Sequence, residues 1–194
     1  MILALLLSGM FQTVSVGDLL SPELAVERVS RCGLGRPRVR YDKLLQLEVL
    51  VLRKKTQASD SQLACVDIAS GYLQIELPLA LRARFYAISN ARLAGEMKVQ
   101  GRAWLLAQGL LDRLPQYQPE KREDAAFAQS LEQLCGAGAA GALQSRYGPH
   151  AIDPDWLAGH ASEAQREDAL GCLIYASAAA DFPLAFIGNE AAKP

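Results

Sequence analysis

Only two histidines occur in the chain, His150 and His160, and acidic residues surround them: Asp153, Asp155 and Glu163. An imidazole beside a carboxylate can move a proton in general acid–base catalysis, and several such groups together can hold a metal. The spacing does not favour a metal, because zinc ligands usually pair three to five residues apart and these histidines stand ten apart. Asp153-Pro154-Asp155 also has the composition of a turn. His150, Asp153 and His160 are therefore the candidate site of a small enzyme, the alternative to a non-catalytic reading.

The four cysteines are Cys32, Cys65, Cys135 and Cys172. None forms a C-x-x-C pair, which removes a zinc ribbon and a thioredoxin-like motif. An even count fits disulfides, and four cysteines allow three pairings. Pairing Cys32 with Cys65 and Cys135 with Cys172 would staple each half of the chain locally. The competing reading is four buried thiols in a cytosolic protein. Cys172 lies between Gly171 and Leu173 in a helical pattern, where it should be buried and unreactive.

Gly136-x-Gly138-x-x-Gly141 matches the dinucleotide-binding fingerprint in form. That chemistry needs a strand before the glycines, so that the amides of the following helix approach a pyrophosphate. Here the preceding Phe127–Leu134 is helical in pattern, so a loop or close helix contact built from small residues explains the glycines better. No G-x-S-x-G, S-x-x-K or H-E-x-x-H occurs. These absences weigh against the commonest hydrolases, but not against an enzyme whose residues are scattered. No motif implies a metal or a cofactor.

Arg36, Arg38 and Arg40 alternate, so an extended segment would place all three on one face, with Val39 and Tyr41 on the other. Guanidinium groups in a row suit phosphates or carboxylates, and a solvated basic face is the plain alternative. Arg28 to Lys55 holds nine basic residues against Asp42 and Glu48, whereas Ala103 to the end holds six basic and twelve acidic. The arginine row, with Lys54 or Lys55, is expected to find part of its pairing in the acidic half. An overall charge of −1 and the expected export weigh against nucleic acid as a partner.

The elements positioning these residues follow from caps and periodicity. Ser21-Pro22 opens a helix carrying Leu24, Ala25, Val29 and Cys32, and Gly33 and Gly35 end it. Arg36–Tyr41 and Leu44–Leu52 read as strands. Ser59-x-x-Gln62 is a capping box opening a short helix that Gly71 closes, and Tyr72–Leu77 reads as a third strand. Leu79–Leu93 is expected to be helical, with a joint over Gly95–Gly101. Helices are expected over Ala103–Leu114 and Glu120–Leu134, and from a second capping box, Ser162-x-x-Gln165, to about Ala180. Trp104, Trp156 and the tyrosines read as packing residues. The fold class is α+β: an N-terminal helix–strand–strand–helix–strand unit followed by a mainly helical C-terminal half.

The chain has 194 residues, of which 51% are hydrophobic and 21% charged, enough for a core that needs no metal. Met1–Gly17 begins with an apolar run too short to span a bilayer, and Ser15-Val16-Gly17 offers the small residues of a cleavage site. No Lys or Arg precedes the run, and Met10 stands where a lipoprotein would carry its modified cysteine. A buried first element is the alternative to a signal peptide. The expected division is a signal peptide over 1–17, an α+β unit over 18–95 and a helical unit over 96–194, the two packed as one compact body. The leading expectation is an exported, non-catalytic binding or interaction protein of the periplasm or cell envelope, with no membrane span after leader removal and a protein as the partner class to test. A cytosolic adaptor binding an anionic partner through Arg36, Arg38 and Arg40 is the third reading. Mass spectrometry of the natively produced protein should find Asp18 at its amino terminus. An intact Met1 would reject the leader.

Overall fold

The computed structural model describes residues 21–52, 57–71, 73–159 and 163–185, with side chains from 166 onward in the last stretch. The leader, Lys54, Lys55, Tyr72, His160 and the Ser162 capping box lie outside the described residues. The fold is α+β, with its sheet in the N-terminal region and a mainly helical remainder. Contacts divide the chain into two compact units, Met1–Asn90 and Ala91–Pro194.

In the first unit, helix α1 (Pro22–Ser30) starts at Ser21, whose side chain accepts from the Leu24 amide. Ala25, Val26 and Val29 recur at helical spacing and bury one face. Strands β1 (Arg38–Asp42) and β2 (Leu47–Val51) pair antiparallel, with Arg38 opposite Val51 and Arg40 opposite Val49. The turn between them is set by Asp42, whose Oδ1 accepts from the Leu44 and Leu45 amides. Helix α2 (Asp60–Ser70) begins at the complete Ser59–Gln62 capping box. It carries the chain back so that β3 (Gln74–Glu76) lies parallel to β2, giving the order β1-β2-β3.

The two-residue period sorts the sheet's side chains. Leu50 and Leu52 join Val29, Leu63, Val66, Leu81 and Phe85 in the core. Val49 and Val51 fall on the opposite face, yet they are only 5% and 6% exposed. A Cys32–Cys65 disulfide links the end of α1 to α2, with Cα atoms 5.6 Å apart.

Helix α3 (Leu79–Ala107) departs from the sequence reading, because it runs through both Gly95 and Gly101 where a joint is expected. A glycine inside a helix costs about 1 kcal/mol relative to alanine, which does not break a helix supported by its neighbours. Gly101 has a specific reason to be there: a Cβ at this position would lie 2.4 Å from the Tyr175 carbonyl oxygen. The helix also stops at Ala107 rather than Leu114. Gly109 turns the chain at φ 67°, and Leu111–Arg113 forms only a 3-10 turn.

The second unit continues with α4 (Asp124–Cys135), α5 (Pro154–Ala158) and α6 (Glu163–Ala179). Glu120, expected as the start of α4, sits instead in a separate 3-10 turn, Pro119–Lys121. Leu105, Leu131, Ile152 and Leu173 are at most 1% exposed and centre this unit's core. The Cys135–Cys172 disulfide joins α4 to α6, with Cα atoms 5.7 Å apart. Both pairings anticipated from the sequence are therefore present.

The two glycines of α3 should respond oppositely to alanine. Gly95 has open space around its missing Cβ, so Gly95→Ala should stabilise by about 0.5–1 kcal/mol. Gly101→Ala must displace the Tyr175 backbone and should destabilise by about 1–3 kcal/mol. Urea unfolding of the two variants checks the contrast, and equal effects would contradict it.

Candidate functional site

His150 is not gathered with Asp153. Its Nε2 lies 3.0 Å from Asp124 Oδ2 and its Nδ1 lies 2.9 Å from the Pro183 carbonyl oxygen. Asp124 is at the start of α4, and its other oxygen accepts from the Tyr117 hydroxyl at 2.9 Å. The imidazole packs beside Phe182, with ring centroids 4.7 Å apart, and Phe182 belongs to an aromatic cluster with Tyr117 and Phe127. The His150 carbonyl also accepts from the Ala185 amide, so this residue fastens the segment after α6 by backbone and side chain together.

This Tyr117–Asp124–His150 chain has the residue types of a proton relay, but its geometry is that of a clasp. Both ring nitrogens lie within hydrogen-bond distance of protein oxygens, the Pro183 carbonyl and the Asp124 carboxylate. Neither nitrogen is left for a substrate, whereas a general base needs one within hydrogen-bond reach of the proton it takes. Asp153 does different work: it caps α5, accepting from the amides of Asp155 and Trp156. His160 lies outside the described residues. Among those residues, no group of three or more His, Cys, Asp or Glu is placed to hold a metal.

The sequence reading missed two acidic residues of this unit. One is Asp124, the partner of His150 26 residues away. The other is Glu132 in α4, only 4% exposed, which accepts from the Leu143 amide at 2.6 Å and the Gln144 side chain at 3.1 Å. Those two donors compensate the burial of its carboxylate and hold the loop beyond the glycines. The glycine motif itself follows α4 directly and forms a 3-10 turn, Ala137–Ala139, packed on α6. Gly136 and Gly141 sit at φ 86° and 84°, which explains two of its three glycines without a phosphate.

In the first unit, Arg38 and Arg40 share the outer face of the sheet, while Arg36 precedes the strand across Pro37. Arg40 reaches Glu76 of β3 at 2.8 Å and Asp42 of its own strand at 3.3 Å. In the strand register Arg40 lies opposite Val49 and Glu76 opposite Val51, so this contact passes over β2 on the face that carries both valines. The partial pairing expected of the arginines thus comes from Glu76 and Asp42 of the same unit. Arg36 and Arg38 form no ion pair among the described residues. Together with Leu34, Val51 and Leu52 the three arginines line a groove of about 320 Å³.

No protein-family model matches this chain, and neither a curated protein nor a solved structure matches it.

The Tyr117 hydrogen bond, then the His150 contact, holds Asp124 below the ordinary carboxylate range, with burial opposing them. The same bond raises the Tyr117 phenol. A carboxyl group that is more acidic when folded contributes stability above its unfolded titration range and loses it as pH falls through the folded value. Asp124→Asn should therefore lower the melting temperature at neutral pH and flatten its decline toward acid pH. Melting curves from neutral to acid pH check this, and an acid limb identical to that of the parent would refute it.

Proposed function

We propose that this chain is an exported, non-catalytic binding protein that takes an acidic, extended segment of a partner protein along the free edge of β1. The observation carrying this reading is the arginine-lined groove beside that edge. Among the described residues β1 has a strand on one side only, so its outer backbone groups have no strand partner. An added strand would satisfy them, as sheet-edge recognition does elsewhere. Its side chains would alternate between the two faces of the extended sheet. On one face they would meet Arg38 and Arg40, and on the other Val39 and Tyr41, which are 40% and 59% exposed. The fitting partner therefore alternates acidic and apolar residues.

Two disulfides support an oxidising compartment, and with it export over the cytosolic adaptor. No described helix is long and apolar enough to cross a membrane. The full engagement of the His150 ring supports binding over the small-enzyme alternative at His150, Asp153 and His160.

The probe is a labelled alternating Glu–Val peptide of about eight residues, long enough to span one strand. Fluorescence polarisation should show binding that weakens with added salt and is lost in the Arg36→Gln, Arg38→Gln double variant. Both side chains are exposed, so the variant should melt as the parent does. Equal binding of a Lys–Val peptide, or undiminished binding by the variant, would overturn the proposal.

A further inference from the structure

A cleft in the second unit has a volume of about 820 Å³, and the described residues that line it include none of the His150 clasp. Trp104 of α3, Gln108 just beyond its end, Trp156 of α5 and Asp168 of α6 line it, together with the Cys135–Cys172 disulfide. The small-residue turn also forms part of the wall, through Ala137, Gly138 and Ala140. The volume falls within the range of small-molecule sites, roughly 300–1,000 Å³.

Both indoles are fixed. Trp156 Nε1 donates to the Gly138 carbonyl at 3.2 Å, which holds its ring against the glycine turn. Trp104 stacks on Tyr175 with ring centroids 5.3 Å apart and also lines the cleft. Held aromatic rings bind at little entropic cost, because their rotamers are set before the ligand arrives.

Charge decides between ligands. Among the described residues, the lining holds one carboxylate, Asp168, and no Lys, Arg or His. Asp168 is exposed and makes no ion pair among the described residues. The chain from Ala103 onward carries twelve acidic against six basic residues, so its field favours cations. Indole faces attract cations through the ring quadrupole, most of all ammonium groups that shed water readily.

We propose that this cleft is a binding site for a small organic cation of the quaternary or alkylated ammonium class, held between the two indoles with Asp168 as counter-ion. Trp104 and Trp156 are the chain's two tryptophans, so tryptophan emission, excited selectively over the tyrosines, arises from residues that line the cleft. Titration of the full chain with choline should give a saturable change in tryptophan emission. The uncharged analogue 3,3-dimethyl-1-butanol should bind at least about tenfold more weakly, and Asp168→Asn should weaken choline by about tenfold while leaving the analogue unaffected. An unchanged melting temperature shows that the variant is folded. No saturable response to choline, an analogue that binds as well as choline, or an Asp168→Asn variant with parental affinity would each overturn the proposal. Saturation by glucose but not choline would do so as well, and would mark the indoles as a sugar platform.

Discussion

Each unit is closed by one covalent bond between helices distant in sequence. Cys32 and Cys65 are separated by 33 residues, and Cys135 and Cys172 by 37. Loops of that length remove enough freedom from the unfolded chain to favour folding by about 3–4 kcal/mol each, on a chain-entropy treatment. That is a large share of what a unit of this size can hold in reserve. It lets the first unit stand on a three-stranded sheet whose third strand has only three residues. It lets the second unit keep an open cleft beside the same α4–α6 link that stabilises it.

Given those links, polar side chains do the positioning. Asp124 ties α4 to His150 on one side and to Tyr117 on the other, and His150 ties the segment after α6. Glu132, two turns further along α4, fixes the loop that follows the glycines. In the first unit Arg40 reaches over the central strand to Glu76. Each of these groups satisfies several partners at once. An arrangement of that kind fixes one geometry and leaves its members little freedom for other chemistry.

Much of this was legible where the determinants are local. The Ser21 and Ser59 caps and the alternation of Arg38 and Arg40 are settled by residues a few positions apart. The disulfides were legible because parity and spacing left few choices. Gly95 and Gly101 misled because glycine punctuates a chain only when nothing holds it helical, and at Gly101 the Tyr175 backbone made its lack of a side chain a requirement. The partner of His150 was not legible at all: sequence proximity pointed to Asp153, while folding brought Asp124 from α4. Trp104 and Trp156 looked like packing residues from the sequence and do pack, but each also lines the cleft. That second role depends on small residues leaving space, which composition alone does not reveal.

The arginines of β1 have a bearing on solubility. A sheet edge with exposed Val39 and Tyr41 is a template on which identical chains stack. Here the edge carries Arg36, Arg38 and Arg40 against a single acidic residue of its strand, Asp42. Two copies meeting edge to edge bring the same excess of positive charge together. The charge pattern that suits an acidic strand therefore works against a filament of the protein with itself, and that protection should fade as salt screens it.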